Sequence, residues 1–343
     1  MQSRIALVVP LVSRQAKVWI ALWTVYILWG STYLGIELAS ETIPPFFAAG
    51  TRFLIAGTLM LGIVAWRRGT AVLRLTKAEA ASAAIVGLLL PGANSLLFLT
   101  EQQVPIGLAS LIIAAIPLWV VLLRFSARER PDLISVTGVV VGFAGIVLLV
   151  RPGGDSGSLA YLLLTVLGSV MWAFGSFLSP RLPVPRDAFA ATAYEMLAGG
   201  VVVMTGALIA YSPDELSPDQ YSARSLFGLA YLIVFGSLIG YSAYAWLLAN
   251  APIGQVSTYA YVNPVVAIAL GAIVLGESIT WRIVGGALLV LAAVAIVVRR
   301  ESRQDVAAEG ASFSGAAAAS EPDDVGGANG YSGEIAPGRV AKR

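Results

Sequence analysis

The sequence of 343 residues contains no cysteine. Disulfides, thiolate metal sites and a cysteine nucleophile are thereby excluded. It contains no histidine either, which removes the commonest general base, the commonest metal ligand and the usual neutral-pH switch. Charge is scarce: Asp, Glu, Lys and Arg make up 12% of the chain, against roughly 25% in soluble domains. Too few polar side chains remain to coat a surface facing water. With a net charge of +2 and no basic cluster interleaved with aromatics, no nucleic-acid partner is expected. There is no P-loop, Gly-rich phosphate cradle or metal-ligand cluster, so no cofactor and no ATPase motor within this chain are expected.

What is abundant is apolar. Hydrophobic residues make up 57% of the chain and the mean hydropathy is +0.80, which makes lipid the natural solvent. A helix crossing the hydrocarbon layer needs about 20 apolar residues. Cutting at charged and Pro/Gly-rich breaks gives ten such stretches: 18–39, 45–66, 80–100, 104–123, 134–150, 158–180, 188–210, 225–248, 255–275 and 282–298. The predicted fold is therefore all-α and integral to the membrane.

Basic residues set the direction. Alternate connections, starting from the N-terminus, hold fifteen Lys and Arg, among them Arg14, Lys17, Arg67, Arg68 and Arg299. The opposite connections hold three: Arg151, Arg224 and Arg282. The positive-inside rule places both termini in the cytoplasm, which requires an even number of spans. Residues 1–17 read as a cytoplasmic lead-in, since the apolar run Ile5–Val12 is too short to span and is followed by Arg14 and Lys17. Residues 304–343, rich in Gly, Ala, Ser and acids without periodicity, read as a disordered cytoplasmic tail.

The sequence repeats. A shift of 147 aligns 94–151 with 241–298 without a gap, placing Pro105, Ile106 and Gly107 on Pro252, Ile253 and Gly254, and Pro117 on Pro264. Shifts of 142 and 143 place Phe47, Ala48 and Ala49 on Phe189, Ala190 and Ala191, and Trp29 on Trp172. Two five-helix units follow, 18–150 and 158–298. Five is odd, so the second copy enters the membrane from the opposite side. Inverted repeats of this kind hold a solute near the midplane in secondary transporters; a duplication that merely enlarges a bundle is the plain alternative.

Four segments carry a family likeness: Trp29–Tyr33 (WGSTY), Pro45–Phe53 (P-x-x-x-A-x-x-R-F), Ser257–Pro264 (STYAYVNP) and Leu275–Glu277 (LGE). With these, residues 19–298 resemble the EamA-domain branch of the drug/metabolite transporter superfamily. The resemblance implies ten spans, cytoplasmic termini in a bacterial inner membrane, no organic cofactor, and export of a small solute through a cavity between the halves. It does not specify the cargo.

Candidate solute contacts come from polar and aromatic residues inside spans. Tyr26, Trp29, Gly30, Tyr33 and Glu37 share one face of the first span. Trp29 and Tyr33 lie deep and read as cavity lining, with Trp172 the repeat partner of Trp29; an interfacial aromatic belt is the bland alternative, which Trp19 and Trp23 suit better. Arg52 and Glu195 stand eight positions into the second and seventh spans. A charge at such depth needs a partner, water or a ligand. Arg52 can hold a carboxylate, while Glu195 can bind an amine or relay a proton, which leaves proton coupling open. The bland alternative pairs Arg52 with Glu195 or Glu37. Tyr241 and Tyr244, then Tyr261 and Asn263, add hydroxyl and amide groups in the eighth and ninth spans, and Asn94 is a weaker candidate. Pro117 and Pro264 are expected to bend both fourth spans at matching heights. Gly138 and Gly142 read as a helix contact, and Glu101 and Glu277 as structural groups at hairpin ends.

The expected function is secondary transport of a small neutral or zwitterionic solute, by alternating access between the repeats. A membrane-embedded lipid enzyme using Glu195 and Arg52, or a non-transporting scaffold, are the alternatives. Oligomeric state is left open.

Overall fold

The computed structural model describes residues 13–128, 133–149 and 158–319. The lead-in Ile5–Val12 and residues 320–343 lie outside the described residues. The chain forms two units, Met1–Arg303 and Gln304–Arg343.

Ten apolar helical stretches are present among the described residues, and no strand. Eight are long and apolar enough to cross a membrane; Leu133–Leu149 and Tyr259–Leu275 are shorter. In the first repeat they are α1 (Arg14–Ser40), α2 (Pro45–Arg68), α3 (Lys77–Thr100), a broken pair α4 (Ile106–Ile113) and α5 (Ile116–Ser126), and α6 (Leu133–Leu149). In the second they are α7 (Leu159–Leu178), α8 (Ala188–Ala210), a composite of α9 (Ala223–Tyr231) and α10 (Gly240–Asn250), a second broken pair α11 (Ile253–Val256) and α12 (Tyr259–Leu270), and α13 (Trp281–Ala319).

The ends are punctuated by local chemistry. Pro45 opens α2 at a position where its missing N–H costs nothing. Thr76 and Glu79 form a reciprocal capping box on α3. Asp187 caps α8 by accepting the Phe189 and Ala190 N–H groups at 3.0 Å each and pairs with Arg68 at the end of α2. One carboxylate thus fixes a helix start and joins the repeats. Gly276 closes the ninth span with φ +71°, a left-handed turn that glycine adopts without strain.

Packing follows the repeat. α2 lies against its counterpart α8; α1 against α12, and its counterpart α7 against α4 and α5. α3 packs on α7, as α9 and α10 pack on α1. α3 and α8 touch backbone to backbone: a Cβ on Gly87 would stand 2.4 Å from the Glu195 carbonyl oxygen. The expected glycine contact is also present, with Gly138, Gly142 and Gly145 of α6 against Val297, Ala293 and Leu289 of α13. The outer surface is apolar, for instance Val140, Ile209 and Leu288, as lipid requires. Trp19 and Trp23 are exposed near the start of α1, and Trp66 and Trp281 at other span ends, where an interfacial belt belongs.

Three expectations change. The fourth span breaks at Ala114–Ala115, so Pro117 stands in the first turn of α5. Its counterpart breaks earlier, at Ser257–Thr258, and Pro264 lies inside α12. The bends are therefore not at matching heights. In the eighth span a π-helical stretch, Leu232–Ile239, joins α9 to α10. Finally, residues 304–319, within the second unit, are helical, and the rest of the expected tail lies outside the described residues. Alanine, the best helix former, is frequent there.

The two hairpins related by the repeat are buried unequally. Between α3 and α4, Val104, Ile106, Leu108, Ala109, Ser110, Leu111 and Ile112 are all at most 3% exposed. Of the counterparts, Val256 is 1% exposed, whereas Ala251, Gln255, Ser257, Thr258 and Tyr259 are half-buried. The bundle is tight at the end carrying the α3–α4 hairpin and looser at the end carrying the α10–α11 hairpin.

Candidate functional site

A cavity lies at the meeting of the two repeats, its empty space about 640 Å³ with the open solvent at its mouth included. Trp29, Thr32 and Tyr33 of α1, Arg52 of α2, Asn94 and Leu97 of α3, and Ile113 and Ile116 beside the α4–α5 break line it from the first repeat. Gly168 and Trp172 of α7, Tyr241 of α10, and Tyr259 and Asn263 of α12 line it from the second. A smaller void of about 340 Å³ adjoins it, sharing Tyr33, Ile113, Ile116, Tyr259 and Asn263 and reaching Pro117 and Pro264.

Among the described residues that line the cavity, Arg52 alone is charged. It is 2% exposed, and its Nε donates to Ser237 Oγ at 3.0 Å, its Nη1 to Asn94 Oδ1 at 2.9 Å. The guanidinium also lies over the rings of Phe53 and Phe98, 5.0 and 6.0 Å from their centroids. Among the described residues no carboxylate stands within ion-pair distance of it. Neither Glu195 nor Glu37 neutralises Arg52. Two neutral side chains hold it, one from each repeat, and leave other N–H donors of its fork unused in these bonds.

An aromatic wall faces it. Trp29 stands 5.2 Å from Tyr241, 4.9 Å from Tyr244 and 5.2 Å from Tyr259, centroid to centroid. Its Nε1 donates to the Gly236 carbonyl at 3.3 Å, a carbonyl in the π-helical stretch. A π turn misaligns backbone carbonyls from the ordinary ladder, and here one of them positions the indole. Space matters too: a Cβ on Gly240 would lie 2.6 Å from Trp29 Nε1, and one on Gly30 2.6 Å from Val266 Cβ. Asn263, with its amide turned to donate, reaches the carbonyls of Tyr259 and Tyr26 at 3.3 Å each.

Of the residues singled out from sequence, the structure brings Trp29, Tyr33, Arg52, Trp172, Tyr241 and Asn263 to one cavity. Glu195 is half-buried on α8 and does not line it. Tyr244 sits a layer behind, its ring against Trp29 and 5.7 Å from Tyr259. Tyr261 is also outside, because a helix turns about 100° per residue and Tyr261 points away from the face shared by Tyr259 and Asn263. Sequence reasoning missed Tyr259, Thr32 and the role of Ser237. Stepping four residues back from Asn263 would have found Tyr259.

Glu101 departs from expectation as well. It is 3% exposed with neither carboxylate oxygen hydrogen-bonded, although a hairpin end promised solvent. Glu277 spans the repeats, accepting the Ile106 N–H at 2.6 Å and the Gly107 N–H at 3.2 Å.

The sequence model of the EamA-like transporter family matches residues 17–151 and again 159–299. The chain is 37% identical over 262 residues to YedA of Escherichia coli K12, described as an uncharacterized inner membrane transporter, covering 76% of this chain and 83% of that one. It is 27% identical to an uncharacterized transporter of Archaeoglobus fulgidus, over 83% of this chain and 99% of that one. It is 24% identical to a probable amino-acid metabolite efflux pump of Salmonella typhimurium, over 80% and 92%. A solved crystal structure 20% identical in sequence superposes with a TM-score of 0.59, covering 85% of this chain and all of that one.

Proposed function

The chain belongs to the EamA-like transporter family, and from that membership we propose that it exports small neutral or zwitterionic organic solutes across a bacterial inner membrane by alternating access. The observation that carries the reading is the cavity at the repeat interface, where a buried Arg52 without a carboxylate partner faces Trp29, Tyr241 and Tyr259. A solute carboxylate suits the unused guanidinium donors, since Arg binds carboxylates through a planar fork. An amine or flat apolar group suits the aromatic faces opposite. Glu195, outside the cavity, is not needed for a zwitterion on this arrangement.

Direction and place rest on the relatives and on charge. The Salmonella relative is named for efflux of amino-acid metabolites and the Escherichia coli relative for the inner membrane. With both termini cytoplasmic, the tight end with the α3–α4 hairpin faces outward and the looser α10–α11 end faces inward. Exchange of these two packings between the repeats is the alternating step. A lipid-modifying enzyme loses support, because Glu195 and Arg52 do not share the cavity.

The test is flux in proteoliposomes across a panel of amino acids, small aromatics and a sugar phosphate, with and without a pH gradient. Uptake or release of zwitterionic and neutral members supports the reading. Exclusive transport of the sugar phosphate overturns it.

A further inference from the structure

Three carboxylates lie within electrostatic reach of one another near the ends of α1, α3 and α12. Glu37 lies near the end of α1, Glu101 directly follows α3, and Glu277 follows the π-helical extension Gly271–Leu275 of α12. Their situations differ. Glu277 has two backbone donors, from Ile106 and Gly107. Glu37 has one buried oxygen without a partner. Glu101 has both oxygens buried and unpartnered.

The surroundings of Glu101 offer its charge little relief. Glu37 and Glu277 are like charges within electrostatic reach, and Tyr33 and Arg52 are the other titratable groups that sense it. Arg52 spends hydrogen bonds on Ser237 and Asn94. Further out, Glu37 senses Glu41 and Arg224, which pair with each other at 3.2 Å. A carboxylate removed from water with no donor and two like charges nearby is strongly disfavoured. Nor do the three acids converge into a group that would hold a metal ion, among the described residues. The closed packing favours the neutral acid at Glu101 over the carboxylate.

The packing in question is the tight α3–α4 hairpin, which by the repeat argument must loosen when the cavity opens toward this end. We propose that Glu101 is a proton-binding site that must be filled before the outward gate of the transporter can close. The proposal rests on the alternating-access reading given above. With the gate open, water reaches Glu101; its carboxylate takes a proton from a hydronium ion outside, and the uncharged acid then enters the closed packing. When the gate reopens into more basic solution, the O–H bond breaks and the proton returns to water.

The natural lack of cysteine makes this measurable without a known solute. Ala109 is fully buried in the closed hairpin and does not line the cavity. The purified protein carrying Ala109→Cys is labelled with a maleimide in detergent from pH 5 to pH 9, each rate normalised to the unfolded protein at the same pH. Labelling is expected to rise about tenfold or more toward high pH as Glu101 ionises and the gate opens. Adding Glu101→Gln, a permanent mimic of the neutral acid, should keep labelling low at every pH, whereas adding Glu195→Gln should leave the rise intact. A parent that shows no rise, or a Glu101→Gln variant that keeps it, overturns the proposal. If Glu101→Gln does not fold, Glu101→Asp should shift the midpoint of the rise, and an unmoved midpoint overturns the proposal equally. A persistent rise in a protein that carries no solute would instead count against the transporter reading alone.

Discussion

Glu277 and Ile106 are 171 residues apart in sequence and joined by a 2.6 Å hydrogen bond, carboxylate to backbone N–H. The contact caps the first turn of α4 with a side chain from the other repeat, so it holds a helix start and an interface together.

Replacing Glu277 by Ala should therefore destabilise the protein by about 1–2 kcal/mol, the usual worth of a helix cap. Glu277→Gln, which retains one acceptor oxygen, should lose less. Thermal melting in detergent reads the difference, and identical midpoints for Ala, Gln and parent would mean that the bond does not hold the hairpin.

Arg52 is held by neutral partners, so removing Glu195 should not rescue it. Arg52→Gln should reduce solute affinity or flux at least about tenfold, as expected for a lost charge-assisted contact, while folding persists. The double change Arg52→Gln with Glu195→Gln should behave as the sum of the two single changes. A double variant that departs from that sum by more than about 0.5 kcal/mol would reveal coupling that the geometry lacks. Arg52→Lys should also fail, because a lysine cannot reach Ser237 and Asn94 with a planar fork.

The aromatic wall makes a prediction about selectivity. Trp29→Ala and Tyr259→Ala should weaken aromatic solutes about tenfold while short aliphatic ones change less, given ring–ring and cation–ring contributions of about 1 kcal/mol each. Tyr261→Phe should leave both unchanged, since Tyr261 is outside the cavity. Equal losses for all solutes would mean that Trp29 shapes the bundle and does not touch the cargo.

Close backbone contact makes a prediction about packing. Gly87→Ala drives a methyl to 2.4 Å from the Glu195 carbonyl, and overpacking of this kind costs about 1–3 kcal/mol. Gly206, on the same α8 but with nothing within 4 Å of a Cβ, should accept alanine without loss. Comparable melting of the two variants would contradict the α3–α8 approach.

The spans and the two-repeat plan were legible because hydropathy and internal alignment report on long segments. Trp29, Tyr33, Arg52 and Asn263 were legible because a polar or aromatic group deep in an apolar helix asks for a reason. The π-helical stretch Leu232–Ile239 was not, since its residues read as an ordinary apolar helix and only the backbone register differs. Glu101 was misread because position at a hairpin end says nothing about whether that hairpin is tucked under its neighbours. Tyr261 falls outside the cavity because it stands about half a turn from Tyr259 and Asn263, a matter of helical phase that residue type does not report. Glu195 stands inside α8, but position along a helix alone does not say which way a side chain faces.

The claim that a solute binds at the repeat interface through Arg52 is tested most directly by counterflow. Proteoliposomes loaded with an unlabelled amino acid are diluted into a trace of the labelled one, with the parent protein and with Arg52→Gln reconstituted at equal density. The parent should accumulate label transiently above equilibrium, and Arg52→Gln should not. Equal accumulation by both proteins would contradict the assignment of the cavity.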